Sequence, residues 1–249
     1  MCVIHNSSTM NKLKFLYIFP HPDDESFGPA PVMYRSINEG HEVHLLTLTK
    51  GGATKVRHKF GFSIEEMGEI REQELHEVSK LIAFTSMTIL NHQDGGMAKS
   101  NPILFENIIK KHIEKIEPNI VVTYPIHGIS GHHDHLACHA IVKRVYVDMK
   151  EKYNYLKRLA FFTIPTPNEN KHVGGMYKVN TTRNKDVDCE ITLKKSEVNI
   201  LKKALDCYGT YSSVIKETNV INDIGNKVYF EFYNENFEAR VTSINVGIS

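Results

Sequence analysis

The chain has 249 residues, enough for one sizeable α/β domain. Hydrophobic content of 41%, charged content of 24% and a formal net charge of +1 are ordinary for a globular protein. That balance gives no electrostatic reason to expect a nucleic-acid or membrane partner, and no apolar run reaches the roughly 20 residues that cross a bilayer.

The opening residues lack an apolar core segment and a small-residue cleavage site, so they do not read as a secretory signal. Met10 is a candidate natural start, and residues 1–12 read as an N-terminal extension to a single domain over 13–249. Four cysteines (Cys2, Cys138, Cys189, Cys207) form no CxxC pair, which points to a reduced, cytoplasmic chain and excludes a four-cysteine zinc site.

The apolar run Leu13 to Phe19 stops at Pro20 and predicts a buried strand. A helix is expected from about Ser26 to Glu39, ended by Gly40. A second strand follows over Val43 to Leu48, closed by Gly51 and Gly52. Ser63 and Glu66 have capping-box spacing and open a helix to about Phe84. A third strand over Met87 to Leu90, a helix from Pro102 to Glu117 and a fourth strand over Asn119 to Tyr124 come next. A helix from about His132 to Lys150 leads to a fifth strand, Leu159 to Ile164. Strands alternating with helices predict a doubly wound, mostly parallel sheet that binds ligands at the carboxyl ends of its strands.

Beyond residue 165 the pattern weakens, and residues 166–249 read as an accessory section on a 13–165 core. Thr166 to Asp188 reads as a loop or hairpin, Lys194 to Cys207 as a helix, and Val228–Phe232 with Phe237–Val241 as a terminal hairpin.

Two clusters follow directly after predicted strands. The first is His21-Pro22-Asp23-Asp24-Glu25 at the end of strand one. Three adjacent acids at a desolvated strand end repel one another strongly unless a cation is present. Histidine and aspartate are both zinc ligands, and Pro22 fixes the backbone so that His21 and Asp24 converge while Asp23 points elsewhere. A carboxylate beside a metal but not on it is what a general base requires.

The second cluster is Gly131-His132-His133-Asp134-His135 after strand four. On a helix, His132 and His135 share a face, and Asp134 can orient an imidazole. A catalytic zinc needs three protein ligands and an open position for water, and His21, Asp24 and His135 supply the three.

The bland readings are specific. Asp23 or Asp24 alone could be a helix cap, which leaves the His-Pro-Asp-Asp unit unexplained. Glu25 reads as serving the helix start or orienting His21. His139, four residues after His135, reads as a packed or solvated helix residue, because Leu136 stands where a zincin needs glutamate. His92, Asp94 and His127 sit in loops near the same sheet edge. Arg71 lies in a glutamate-rich helix where an ordinary ion pair is a serious alternative.

At these residues the chain resembles the PIG-L/LmbE-like deacetylases, whose signatures are His-Pro-Asp-Asp-Glu and, about a hundred residues later, Gly-His-x-Asp-His. Here they stand as His21 to Glu25 and Gly131 to His135, with His133 where proline is usual. Gly51-Gly52 and Gly68 to Leu75 also fit the family pattern, and the likeness covers roughly residues 13–165. Near the C-terminus the family often carries His-x-Ser/Thr-Gln, whereas Ala204 to Tyr211 has neither that histidine nor the glutamine.

The resemblance implies a Rossmann-like fold and metal-dependent removal of an acetyl group from an N-acetylglucosamine-containing small molecule. His21, Asp24 and His135 would hold one Zn2+ or Fe2+, and Asp23 would activate the metal-bound water. His132, charged and steadied by Asp134, would stabilise the oxyanion or protonate the departing amine, and Arg71 would bind substrate. It also admits a homo-oligomer. Three alternatives stay open: an amidase cleaving a larger N-acyl group, an iron oxygenase with a two-His-one-carboxylate triad, and a non-catalytic sugar-binding module.

Overall fold

The computed structural model describes residues 11–167 and 172–248. Met10, Cys2 and all but the last two residues of the expected extension lie outside them. Seven strands form one sheet: β1 (Lys14–Phe19), β2 (Glu42–Thr49), β3 (Ser86–His92), β4 (Ile120–Thr123), β5 (Arg158–Thr163), β6 (Cys189–Thr192) and β7 (Lys227–Phe232). Their order is β3-β2-β1-β4-β5-β7-β6. The first five strands in that order are parallel, and β7 runs antiparallel to both β5 and β6. This is the doubly wound, mostly parallel sheet that the strand–helix alternation predicts.

β1 is central because both of its faces are covered. Phe15, Tyr17 and Phe19 belong to one buried cluster, and Leu16 and Ile18 to another on the opposite face. An apolar run without polar alternation is what a strand buried on both faces needs. The first cluster lies under α1 (Ala30–Asn38), α3 (Ile64–Ile82) and α7 (Lys195–Asp206). The second lies under α4 (Pro102–Ile116) and α6 (His133–Lys150). Four short helices complete the set: α2 (Arg57–Phe60), α5 (Gly128–Gly131), α8 (Ser212–Thr218) and α9 (Val220–Ile224).

Most predicted boundaries fall within a few residues of the observed ones, and Ser63 caps α3 with Glu66 in a full capping box. Two expectations need correction. α1 begins at Ala30 rather than near Ser26, because Gly28 adopts φ 155° and residues 22–29 form turns. The terminal hairpin does not form: Val241 makes only an isolated bridge to Cys189, and β7 pairs instead with β5 and with β6, a strand absent from the sequence reading. The 166–249 section thus supplies two strands of the main sheet.

The strand order reverses at β1, which has β2 on one side and β4 on the other. The crevice beyond the carboxyl ends of these two strands is where such sheets bind ligands. After β2 the chain must pass very close to α3. Gly51 has φ 64°, and a Cβ on Gly52 would lie 2.1 Å from the Ile64 carbonyl oxygen. Gly52→Ala therefore forces the loop off α3 and is expected to cost about 1–3 kcal/mol, lowering Tm by about 2–4 °C per kcal/mol in a thermal melt.

Candidate active site

The turn after β1 buries three consecutive acids: Asp23 is 7% exposed, Asp24 4% and Glu25 0%. Each finds its partner on a different element. Asp23 accepts a hydrogen bond from Arg71 Nη2 on α3 at 2.7 Å. Asp24 Oδ1 accepts from the Tyr124 hydroxyl at 2.5 Å and lies 3.3 Å from His135 Nε2 on α6. Its Oδ2 accepts from the His21 amide at 2.8 Å and lies 3.5 Å from His21 Nδ1. Glu25 accepts from the hydroxyls of Ser26 at 2.5 Å and Tyr208 at 2.8 Å, and from the Asp23 amide at 3.2 Å.

The backbone is strained to present these groups. Asp23 has φ 97°, and Ile129, in the loop after β4, has φ 56°. A β-branched residue at positive φ is a genuine outlier, and such outliers persist where surrounding structure over-determines them, at about 1–3 kcal/mol each.

The two histidines of the second cluster are oriented differently. His135 Nδ1 lies 2.9 Å from the Gly128 carbonyl, which can only accept, so Nδ1 carries a proton and Nε2 is the ring atom that faces Asp24. Its ring stacks on Tyr124 at 4.1 Å between centroids. His132 precedes α6 as its N-cap, accepting the Asp134 amide on Nδ1 at 3.2 Å. His132 therefore does not start the helix, and its ring stands edge-on to that of His21, 4.9 Å away.

The expected support of the His132 ring by the Asp134 carboxylate is replaced by other contacts. That carboxylate accepts the amides of Gly95 at 2.7 Å and Met97 at 3.0 Å, and faces His21 Nε2 at 3.3 Å. Asp94 also faces His21 Nε2, at 3.0 Å. The helix turn carries Asp134 away from the His132 ring and into the 94–97 loop.

Two groups of possible metal donors come within 4.8 Å: His21, His132 and His135, and His21, Asp94 and Asp134. Asp24 belongs to neither group, although one of its oxygens lies 3.5 Å from His21 Nδ1 and the other 3.3 Å from His135 Nε2. Nitrogen and carboxylate donors at these separations suit Zn2+ or Fe2+, and a cation also answers the packing of three carboxylates, Asp24, Asp94 and Asp134, around His21. His139, by contrast, donates from Nδ1 to the Tyr124 carbonyl, 2.9 Å away, and is buried.

The acid–base balance follows from burial. Desolvation pushes the Asp23 carboxyl up to about 7, against the pull of the Arg71 guanidinium and with added repulsion from Asp24 and Glu25. Burial likewise raises Glu25 to about 7, although Ser26 and Tyr208 oppose it. Burial would raise Asp24 too, but His135 and His21 override it and hold it far below the usual carboxylate range. For His21 desolvation is outweighed by Asp134, Asp24 and Asp94, which raise it well above the ordinary imidazole value. Desolvation, with His21 and His135 nearby, lowers His132.

Arg71 is only 2% exposed. It donates to the carbonyls of Pro22 and Gly51 as well as to Asp23, and its guanidinium lies 4.0 Å from the Tyr211 ring centroid. Its helix does not leave it in a surface ion pair. Tyr124, Tyr208 and Tyr211 went unmarked in the sequence: Tyr124 reads as the apolar end of a strand, and the other two fall in the stretch that departs from the family pattern. The signal available for Tyr124 was its place at the carboxyl end of β4.

His21, Asp23, Asp24, Arg71, Asp94, Tyr124, His132, His135 and Tyr211 line a cavity of about 660 Å³, which Glu25, Asp134 and Tyr208 do not reach. Residues 16–146, more than half of the chain, match the family described as PIG-L, GlcNAc-PI de-N-acetylase. The chain belongs to the PIG-L family. Its relatives include a probable N-acetylglucosaminyl-phosphatidylinositol de-N-acetylase of Schizosaccharomyces pombe, 32% identical over 184 residues that span 65% of this chain and 68% of that protein. A 1D-myo-inositol 2-acetamido-2-deoxy-alpha-D-glucopyranoside deacetylase of Thermomonospora curvata is 30% identical over 53% of this chain and 51% of its own length. This PIG-L chain thus spans about half of that second relative. In fold it is similar to the N,N'-diacetylchitobiose deacetylase of Pyrococcus horikoshii, with TM-score 0.64 and 17% identity over 90% of this chain and 84% of the other.

The matched stretch of this PIG-L chain holds His21 to Glu25, Arg71 and His132 to His135, whereas Tyr208 and Tyr211 lie beyond it. Removing one member of a buried ion pair leaves the other desolvated and alone. Arg71→Met is therefore expected to lower the denaturant-unfolding free energy by about 3–5 kcal/mol, where an exposed pair is worth under about 1.

Proposed function

We propose that this PIG-L chain hydrolyses the acetamide of an N-acetylglucosamine-containing small molecule in a reaction that depends on a bound Zn2+ or Fe2+. The observation that carries the reading is the meeting of the β1 and β4 clusters around Asp24, with Asp23 beside them and outside their donor contacts. We assign His21, Asp24 and His135 as ligands, since Asp24 touches both imidazoles and the Gly128 carbonyl engages Nδ1 of His135, which turns Nε2 toward Asp24. The ion, when bound, polarises water and the amide carbonyl.

Asp23 takes the proton from the attacking water. A carboxyl raised by burial toward neutral pH is a better base than an exposed one, and Arg71 keeps it in one orientation. Glu25 fixes the Asp23 amide and so the unusual backbone that aims the base. His132 faces the cavity beside His21 and His135. Its Nδ1 is occupied by the Asp134 amide, which leaves Nε2–H to donate a hydrogen bond to the tetrahedral oxyanion, and the proton that Asp23 took from water passes to the departing amine. Asp134 and Asp94 orient His21 rather than His132. Water adds to the carbonyl carbon, the C–N bond breaks, and acetate and the free amine leave.

We also read residues 13–249 as one domain, because β6 and β7 extend the sheet that carries the site. The described cysteines Cys138, Cys189 and Cys207 are free thiols, which supports a cytoplasmic reading. Among the described residues no helix is long and apolar enough to cross a membrane.

Chelator-stripped protein refilled with Zn2+ is expected to release acetate from at least one N-acetylated glucosaminide. Asp23→Asn should lower kcat by about 10²–10⁴-fold while metal content, read by elemental analysis, stays at the wild-type level. A wild-type rate in that variant would sink the assignment of the base. In the same metal assay Asp24→Ala is expected to lose the ion and Asp94→Asn to keep it; the reverse result moves the site to the His21, Asp94 and Asp134 group.

A further inference from the structure

Between β4 and α6 the short α5 turn holds Gly128 at φ 60°, Ile129 at 56° and Gly131 at 71°. Glycine adopts that region freely, whereas the isoleucine must be held there by its surroundings. Two residues grip it. The Ile129 amide donates to His127 Nδ1 at 3.1 Å, and its carbonyl accepts the Asn180 amide at 2.7 Å and Asn180 Nδ2 at 3.2 Å. The neighbouring Gly128 carbonyl is the group that accepts from His135 Nδ1. A Cβ on Gly128 would lie 2.8 Å from the His135 Cβ, so any shift of this turn passes directly to that ring.

His127 does not reach the cavity; it is fixed from behind the turn. Because its Nδ1 accepts a backbone amide, the ring proton sits on Nε2, which donates to Thr182 Oγ1 at 3.0 Å. The Thr182 hydroxyl gives its one proton to Glu231 Oε1 on β7 at 2.5 Å. It therefore accepts from His127 and from the Thr163 hydroxyl of β5, 2.6 Å away, which uses all of its hydrogen-bonding capacity. Thr163 and Thr182 are both buried, so an unmatched polar atom among them would be costly. Burial, with His139 nearby, lowers His127 and keeps Nδ1 open to the Ile129 amide.

We propose that His127 is a positioning residue: anchored on Thr182, it holds Ile129, and so sets the Gly128 carbonyl and the angle at which His135 presents Nε2 to a bound metal ion. The inference rests on the reading of His135 as a ligand. A ligating histidine whose hydrogen-bond partner is lost typically binds its metal about 10–100-fold more weakly. Here the partner is a backbone carbonyl, which no substitution can delete, and His127 is the side chain that places it. Asn180, Thr182 and Glu231 lie in the later section of the chain, which on this account helps to build the metal site.

Two substitutions at this position separate the hydrogen bond from the bulk of the ring. Asparagine accepts the amide two residues on, as His127 Nδ1 does, whereas leucine fills space and accepts nothing. Zn2+ affinity of the full chain is read by competition with a chelator, and geometry at the ion by the visible absorption of the Co2+-substituted protein. His127→Leu is expected to bind Zn2+ about 10–100-fold more weakly, with an altered Co2+ spectrum. His127→Asn should recover most of that affinity and the wild-type spectrum. Thr182→Val, which removes only the anchoring hydroxyl, should shift both readouts in the direction of His127→Leu. In a His135→Ala background His127→Leu should cost nothing further, because the turn no longer aims a ligand.

Wild-type affinity and spectrum in His127→Leu or in Thr182→Val overturn the proposal, and Thr182→Val carries the test alone where the leucine variant does not fold. An asparagine variant no better than leucine overturns it too, as does an undiminished loss in the His135→Ala background. None of these readouts needs turnover. The expected shifts in a chain that releases no acetate uphold the positioning role and sink the deacylase reading. Absent shifts in a chain that does release acetate do the reverse. A wild-type chain that binds neither ion sinks both.

Discussion

Burying Asp23, Asp24 and Glu25 side by side is the constraint to which the rest of this molecule answers. An isolated carboxylate in a low-dielectric interior is very costly, so each must be matched. The matches come from everywhere in the chain: Arg71 from α3, Tyr124 and His135 from the end of β4 and from α6, Tyr208 from the segment after α7. Three adjacent residues thus fix the relative positions of three separate parts of the fold. Even so, two of the three keep carboxyl groups pushed up to about 7, a measure of how much negative charge has been concentrated.

The sheet makes this concentration feasible. Because the strand order reverses at β1, the turns after β1 and β4 diverge to opposite faces and leave a crevice between them. β1 and β4 are hydrogen-bonded neighbours, with Phe15 opposite Ile120, although they are far apart in the chain. Histidines over a hundred residues apart in sequence thereby meet across a few ångströms, and the glycine-lined crossing at Gly51 and Gly52 lets α3 bring Arg71 under the same turn.

The polar end of the cavity was legible in the sequence because it is written locally. His21 to Glu25 and His132 to His135 are contiguous, and each follows a strand whose apolar run marks its own end. What could not be read were pairings decided by tertiary packing. Asp134 is two residues from His132, yet its carboxylate serves Gly95, Met97 and His21. Arg71 has the local surroundings of a surface residue, and only the docking of α3 makes it buried. β6 is four residues long and gains its identity from β7, which itself alternates buried and half-buried positions. Phe237 to Val241 meets the free edge of β6 only through Val241, whose amide donates to the Asp188 carbonyl and whose carbonyl accepts the Glu190 amide, so composition alone could not show how little of it would pair.

Where the cavity's lining lies along the chain bears on how kinship among such chains is read. Residues 16–146 contain the acids, the histidines, Arg71 and Phe27, while Phe162, Ile164, Val214, Val220 and Ile224 come later. Most of the apolar lining is therefore encoded outside the stretch that carries the acids and histidines, so two chains that match over that stretch can still wall the same cavity differently.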